Sequence, residues 1–191
     1  MNPEYNATVE FLHAFRPVGF WLLTAIRVDR KEIKTVPFAA SDPKVVIDWL
    51  EKMGSDRKNS EHNFNFYFHV NPVMQQMAKK AEKEDVSRME YLHVDLDPRP
   101  GEDVDEEKVR YLEMLTNPPS GIPKPSFIID SGGGYHGYWK LSTPLEIEGQ
   151  PNRWAEAERY NQQIIAEFGG DIGTFNVDRI MRLPGTRQEE A

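Results

Sequence analysis

Apolar positions recur along the chain at two periods, and the alternation between them predicts its elements. Val9, Leu12 and Phe15 share one side of a helix over Glu4 to Phe15, which Arg16-Pro17 ends. Gly19 to Val28 and Glu32 to Phe38 are rich in aromatic and β-branched residues and predict two strands across the turn Asp29-Arg30-Lys31. Ser41-Asp42-Pro43 opens a helix whose apolar face, Val45, Val46, Trp49 and Leu50, runs up to Gly54. Gly54 to Asn63 is polar and reads as a loop. In the strand Phe64 to Val70, Phe64, Phe66 and Phe68 fall on one face, Tyr67 and His69 on the other. Asn71-Pro72 reads as the opening of a helix that continues into the charged run Lys79 to Asp85. A strand over Tyr91 to Asp97 and a helix over Asp105 to Leu115 follow, the latter ended by Asn117-Pro118-Pro119. Pro125 to Ile129 and Tyr135 to Leu141 predict two strands joined by Asp130-Ser131-Gly132-Gly133-Gly134. An amphipathic helix over Pro151 to Phe168 is stopped by Gly169-Gly170, and Arg179 to Leu183 forms a short last strand. Without repeats or a clear linker, this order predicts a single α+β domain over residues 1–191.

Composition narrows the setting. With 191 residues, 39% of them hydrophobic, the chain can bury a core. The absence of cysteine excludes disulfides and thiolate metal sites and fits a reducing, cytoplasmic location. No apolar run has the length of a membrane span, and no signal-peptide pattern opens the chain. The polar ending Arg187 to Ala191 directly follows a patterned segment and reads as a boundary inside a longer protein. A net charge of −8 disfavours tight non-specific binding to nucleic acid, but the charge is unevenly spread. Glu102, Asp103, Asp105, Glu106 and Glu107 form an acidic cluster suited to a helix start. Arg27, Arg30, Lys31 and Lys34 form one basic group, Arg179, Arg182 and Arg187 another. A strand-binding groove needs only a local basic surface.

Three constellations carry candidate chemistry. Asp95 and Asp97 alternate on one strand and project the same way, while Leu92, Val94 and Leu96 take the core face. Adjacent carboxylates repel unless a cation lies between them, and hard oxygen donors suit Mg²⁺ or Mn²⁺. An exposed strand edge explains the same pair without a metal. In Ser131-Gly132-Gly133-Gly134-Tyr135-His136, glycines allow close backbone approach to phosphate oxygens, and His136 can donate to one. A structural glycine hairpin is the alternative, and no Walker lysine follows. Asp171, past the helix stop, can supply a third carboxylate, and Arg179 and Arg182 can bind phosphate with paired donors. A turn aspartate and surface arginines would look the same. Trp21, Tyr67 and Trp139 are stacking candidates that also suit a core, and Lys79, Lys80 and Lys83 could meet phosphates or simply face solvent.

Taken in order, with Arg16-Pro17-Val18-Gly19-Phe20-Trp21, Phe66-Tyr67-Phe68-His69-Val70-Asn71-Pro72 and Arg182-Leu183-Pro184-Gly185-Thr186 around them, these segments resemble the archaeo-eukaryotic primase superfamily, in its primase–polymerase (PrimPol) and plasmid RepB-like branch. The resemblance implies an RNA-recognition-motif-like catalytic sheet flanked by helices, with a smaller N-terminal α/β subdomain. It implies a two-metal Mg²⁺ or Mn²⁺ site on Asp95, Asp97 and Asp171, with Asp178 as the alternative third ligand. It implies nucleotide contacts from Ser131, Gly133, Gly134, His136, Arg179 and Arg182. The implied activity is template-directed nucleotidyl transfer from dNTP or NTP to a 3′-hydroxyl on single-stranded DNA, in phage, plasmid or other mobile-element replication. A helicase domain beyond residue 191, or a protein partner, is compatible with this reading. The Asn and Lys that follow Pro-Gly-Thr in many relatives are here Arg187-Gln188. A non-catalytic origin-binding initiator module and a metal-dependent nuclease are the rival functions.

Overall fold

The computed structural model describes residues 3–29, 31–55, 64–148, 150 and 152–186. In chain order these form α1 (Pro3–Phe15), β1 (Phe20–Arg27), β2 (Ile33–Ala39), α2 (Pro43–Ser55), β3 (Phe64–His69), β4 (Arg88–Leu96), α3 (Val104–Thr116), β5 (Phe127–Asp130), β6 (Tyr135–Glu146), α4 (Asn152–Phe168) and β7 (Ile180–Arg182). Short 3-10 turns occupy Lys83–Asp85 and Ile172–Thr174. The polar loop expected up to Asn63 falls largely on 56–63, and Arg30 and Arg187 also lie outside the described residues.

The chain divides into two compact units. One comprises Met1–His69, Gln75–Ala81 and Ile180–Ala191. Its antiparallel sheet has the order β2-β1-β3-β7. The alternation in β3 works as expected. Phe68 meets Phe11 and Phe15 of α1, both at 5.2 Å between ring centres, and Phe66 meets Trp49 of α2 at 5.4 Å. On the opposite face Tyr67 stands across from Arg182, and Thr24 bonds Thr35 across β1 and β2 at 3.0 Å. Thr8 Oγ1 donates to the Pro184 carbonyl at 2.7 Å, tying α1 to the segment after β7.

The other unit comprises Val70–Met74 and Glu82–Arg179. Its antiparallel sheet has the order β4-β6-β5, which leaves β4 at an edge. Val94 and Leu96 of β4 and Trp139 of β6 pack with Tyr111 and Leu115 of α3 and Ile165 and Phe168 of α4. Asp103 caps α3, its carboxylate accepting from the N–H groups of Asp105 and Glu106, so the acidic cluster is a helix start. At the end of α4, Gly169 adopts φ +69°, Gly170 N donates to the Ile165 carbonyl and Gly169 N to that of Ala166, a Schellman stop.

The helix expected after Asn71-Pro72 is not formed. The backbone there bonds to the segment before β4 instead: Met74 N to the Asp85 carbonyl, and Ser87 N to that of Pro72. The Asn71 side chain accepts from Glu90 N and Tyr91 N and donates to the Val177 carbonyl. Its amide thus stands in for a strand partner, an option that competes with helix initiation.

Candidate active site

Strand pairing assembles the centre of the site. Asp95 lies opposite His136 in the β4–β6 register, which places both on the sheet face turned away from the α3 and α4 core. His136 Nε2 is 3.3 Å from Asp95 Oδ1. Tyr138, two residues on and on the same face, shares a hydrogen bond of 3.2 Å between its hydroxyl and His136 Nδ1. Arg179, from the segment leading to β7, brings Nη2 to 4.0 Å from Asp95 Oδ2. His136 and Tyr138 are buried and Asp95 is half-buried. Burial, and then the Asp95 charge, hold the Tyr138 phenol well above its ordinary range, so it stays protonated.

Around Asp97 the glycine segment is a preformed loop. Asp130 Oδ1 accepts from Gly132 N at 2.8 Å, and Ser131 Oγ accepts from Gly134 N at 3.1 Å. Lys108 of α3 donates to Asp130 and to the Gly132 carbonyl, both at 2.9 Å, and lies over the Tyr135 ring. The loop crowds the end of β4: a Cβ on Gly134 would fall 1.9 Å from the Leu96 carbonyl oxygen and 2.7 Å from Asp97 Oδ1. Asp97, exposed just beyond β4, therefore borders the loop directly.

The third acid reaches β4 through its backbone. Asp171 N donates to the Asp95 carbonyl at 2.9 Å. Gly170 packs so closely that a Cβ there would lie 2.8 Å from the same oxygen. The Asp171 carboxylate is exposed and caps Gly173 N at 2.8 Å. Asp178 Oδ1 accepts from Asn176 Nδ2 at 2.7 Å.

No family model matches the chain, and no curated protein matches it in sequence. Solved structures do match it. The AEP domain of the cyanophage S-2L primase-polymerase superposes with a TM-score of 0.60 at 18% identity, over 93% of this chain and 80% of that one. This chain has the primase–polymerase fold. The catalytic domain of primase RepB′, in complex with initiator DNA, matches with a TM-score of 0.58 at 12% identity, over 95% of this chain and 77% of its own. A second RepB′ primase structure gives 0.57 at 15%, over 95% and 50%. The expected α+β architecture and the likeness to the PrimPol and RepB-like branch are borne out.

Within this primase–polymerase fold, the candidate residues are not all gathered. Asp95, Asp97, the Ser131 to Gly134 loop, His136 and Arg179 belong to one unit; Arg182 lies on β7 in the other, across from Tyr67. Three carboxylates are a hard-oxygen donor set that fits Mg²⁺ or Mn²⁺. Asp95 and Asp97 leave β4 two positions apart, and Asp171 is tethered beside Asp95. Among the described residues, however, no three acidic or histidine side chains converge into a ready-made ion site.

Two of the basic front residues are ion-paired: Arg27 with Asp29 at 2.7 Å and Lys34 with Glu32 at 2.8 Å. Lys83 pairs with Glu158 at 2.7 Å. Trp21 and Trp139 are core residues, their ring N–H groups bonded to the Arg16 and Pro123 carbonyls.

Sequence reasoning missed Lys108, His93 and Asn161. His93 is fully buried, and burial drives it down to about 4 although its bond to the Thr174 carbonyl opposes this. It is therefore a neutral ring at physiological pH, with its proton on Nε2 because the partner at 2.7 Å is a carbonyl. The periodicity of β4 marks His93 only as lying on the face of Asp95. Nothing in the local pattern of α3 or α4 distinguishes Lys108 or Asn161.

Proposed function

We propose that this chain is a DNA primase–polymerase catalytic domain, joining nucleoside triphosphates to a 3′-hydroxyl on a single-stranded DNA template. One observation supports this above others: Asp95, His136 and Arg179 meet on one sheet face beside a glycine loop packed against Asp97, in a fold shared with primase–polymerases. A non-catalytic module would have no use for a half-buried carboxylate beside an arginine and a buried histidine.

Asp95, Asp97 and Asp171 would hold Mg²⁺ or Mn²⁺, with Asp178 the alternative to Asp171. Bound there, the ions supply activation of the 3′-hydroxyl and neutralisation of the triphosphate. In the reaction the 3′-oxygen bonds to the α-phosphorus and pyrophosphate departs. Tyr138 fixes the His136 ring through Nδ1, leaving Nε2 on the reacting side with Asp95. His136 and Arg179 serve as triphosphate contacts that offset its charge. Gly133 and Gly134 let a phosphate approach the backbone, and Ser131 shapes their loop. The RepB′ catalytic domain is in complex with initiator DNA, which favours DNA as the partner here. Residues 1–191 then form one catalytic domain of a cytoplasmic replication protein of phage or plasmid type, working with a helicase domain or partner.

The test is incorporation of labelled nucleotides on single-stranded DNA, with and without primer, in Mg²⁺ and Mn²⁺, beside Asp95→Ala. Primer-independent products that vanish in the variant establish a primase, and extension only from a primer establishes a polymerase. Unchanged activity in Asp95→Ala refutes the assignment. DNA binding without incorporation points to an initiator module, and strand cleavage to a nuclease.

A further inference from the structure

The outer edge of β4 carries backbone groups that β6 cannot reach, and three buried polar side chains close it. Asn161 of α4 accepts from His93 N at 2.8 Å through Oδ1, and its Nδ2 donates to the Phe175 carbonyl at 3.2 Å. The His93 ring donates to the Thr174 carbonyl at 2.7 Å. Thr174 Oγ1 in turn donates to the Asp171 carbonyl at 2.7 Å, and Asp171 N returns to the Asp95 carbonyl at 2.9 Å. The bonds form a closed ring from β4 through Asn161 and His93 to residues 171–175 and back to β4. His93, Asn161 and Thr174 are each 0% exposed.

Three fully buried polar groups are a costly way to fill space. Apolar residues of similar volume would leave the His93 N–H and the Asp171, Thr174 and Phe175 carbonyls without these partners, so the network satisfies the edge of β4. What such a network supplies besides is a fixed position. Here the position fixed is that of Asp171, whose backbone is pinned one hydrogen bond from Asp95. The bare Gly170 that precedes it allows the close approach. Asp178, outside the ring, has its carboxylate bonded to Asn176.

We propose that His93 and Asn161 are positioning residues that clasp the 171–175 segment to β4 and so place Asp171, rather than Asp178, as the third acid of the site. This rests on the nucleotidyl-transfer reading above. His93 and Asn161 touch no reacting group; they act through Asp171.

The test compares His93→Phe, which keeps the ring volume and removes the donor, with His93→Gln, which can restore a donor to the Thr174 carbonyl. Thr174→Val is a near-isosteric second variant should His93→Phe fail to fold. Mn²⁺ alone is titrated into each protein by paramagnetic resonance, and amide exchange at Asp171 is followed by NMR. The expected result is Mn²⁺ binding weakened about ten-fold or more in His93→Phe and Thr174→Val, and largely regained in His93→Gln. Exchange at the Asp171 amide should quicken while amides of the β4–β6 ladder stay protected. With saturating Mn²⁺, kcat for incorporation should fall with little change in the triphosphate KM. If Asp171→Asn loses Mn²⁺ binding but His93→Phe and Thr174→Val behave as wild type, the clasp is overturned and the nucleotidyl-transfer reading survives. If Asp171→Asn binds and incorporates normally, the placement of Asp171 is overturned as well. If the wild type neither binds Mn²⁺ nor incorporates nucleotides, the functional reading itself fails and takes the clasp with it.

Discussion

Three consecutive glycines should answer the same substitution in three different ways, and Gly134→Ala is the decisive one. The Cβ it adds would sit 1.9 Å from the Leu96 carbonyl oxygen, whereas real Cβ atoms keep at least about 3.0 Å from other atoms. The shortfall, about 1.1 Å, falls on backbone rather than on a side chain that could swing aside. β4 and β6 must therefore part where Leu96 faces Tyr135. Losing one or two ladder bonds at about 1 kcal/mol each, on top of overpacking of about 1–3 kcal/mol, gives roughly 2–5 kcal/mol of destabilisation. Gly133→Ala would place its Cβ an ordinary 3.8 Å from Asp97 Oδ1, so stability should stay within about 0.5 kcal/mol. Gly132→Ala meets no atom but holds φ at +96°, a left-handed strain of about 1–2 kcal/mol. Urea unfolding of the three variants at neutral pH measures this order directly. Gly134→Ala as stable as Gly133→Ala would refute the reasoning, because it would mean that the loop does not press on the end of β4.

Three further outcomes follow from the same geometry. His93 is held at about 4 in the fold against an ordinary 6.5, so the unfolded chain binds the extra proton first as pH falls; stability is present above pH 6.5, and about 2 kcal/mol of it is lost between pH 7 and 4.5. Unfolding curves at the two pH values should show that loss in the wild type and a correspondingly smaller one in His93→Gln. Lys108→Met removes the tie between α3 and the glycine loop; the partly exposed Lys108–Asp130 pair contributes under about 1 kcal/mol, so melting should barely move while the triphosphate KM rises several-fold in the incorporation assay. Leu115→Ala, in the core under Val94 and Leu96, should cost about 2–5 kcal/mol in urea unfolding.

Much of this architecture is legible because side-chain alternation and helix stops are local. Phe64, Phe66 and Phe68 reveal which face of β3 is buried, and Val94 and Leu96 do the same for β4. Asp95 and His136 come together through strand register, which follows once β4 and β6 are recognised as neighbours. The failure at Asn71-Pro72 has a different origin. A helix start and a side chain that mimics a strand partner carry the same local signature, and only the distant Glu90, Tyr91 and Val177 decide between them. Lys108 and Asn161 were invisible for the same reason: their partners lie 14 to 68 positions away.

Between β3 and β7 of the first sheet, the chain inserts all of the second unit. During synthesis, β3 must wait with one edge unpaired until the second unit has emerged, since Ile180 to Arg182 supply its remaining neighbour. The second unit has all its own strands before that point and can fold first, although it comes later in the chain. Translation thus leaves one edge of β3 dependent on β7, a strand made only after the second unit. A pause or break ahead of residue 180 would leave a sheet edge of Phe64 to His69 open to pairing with other chains.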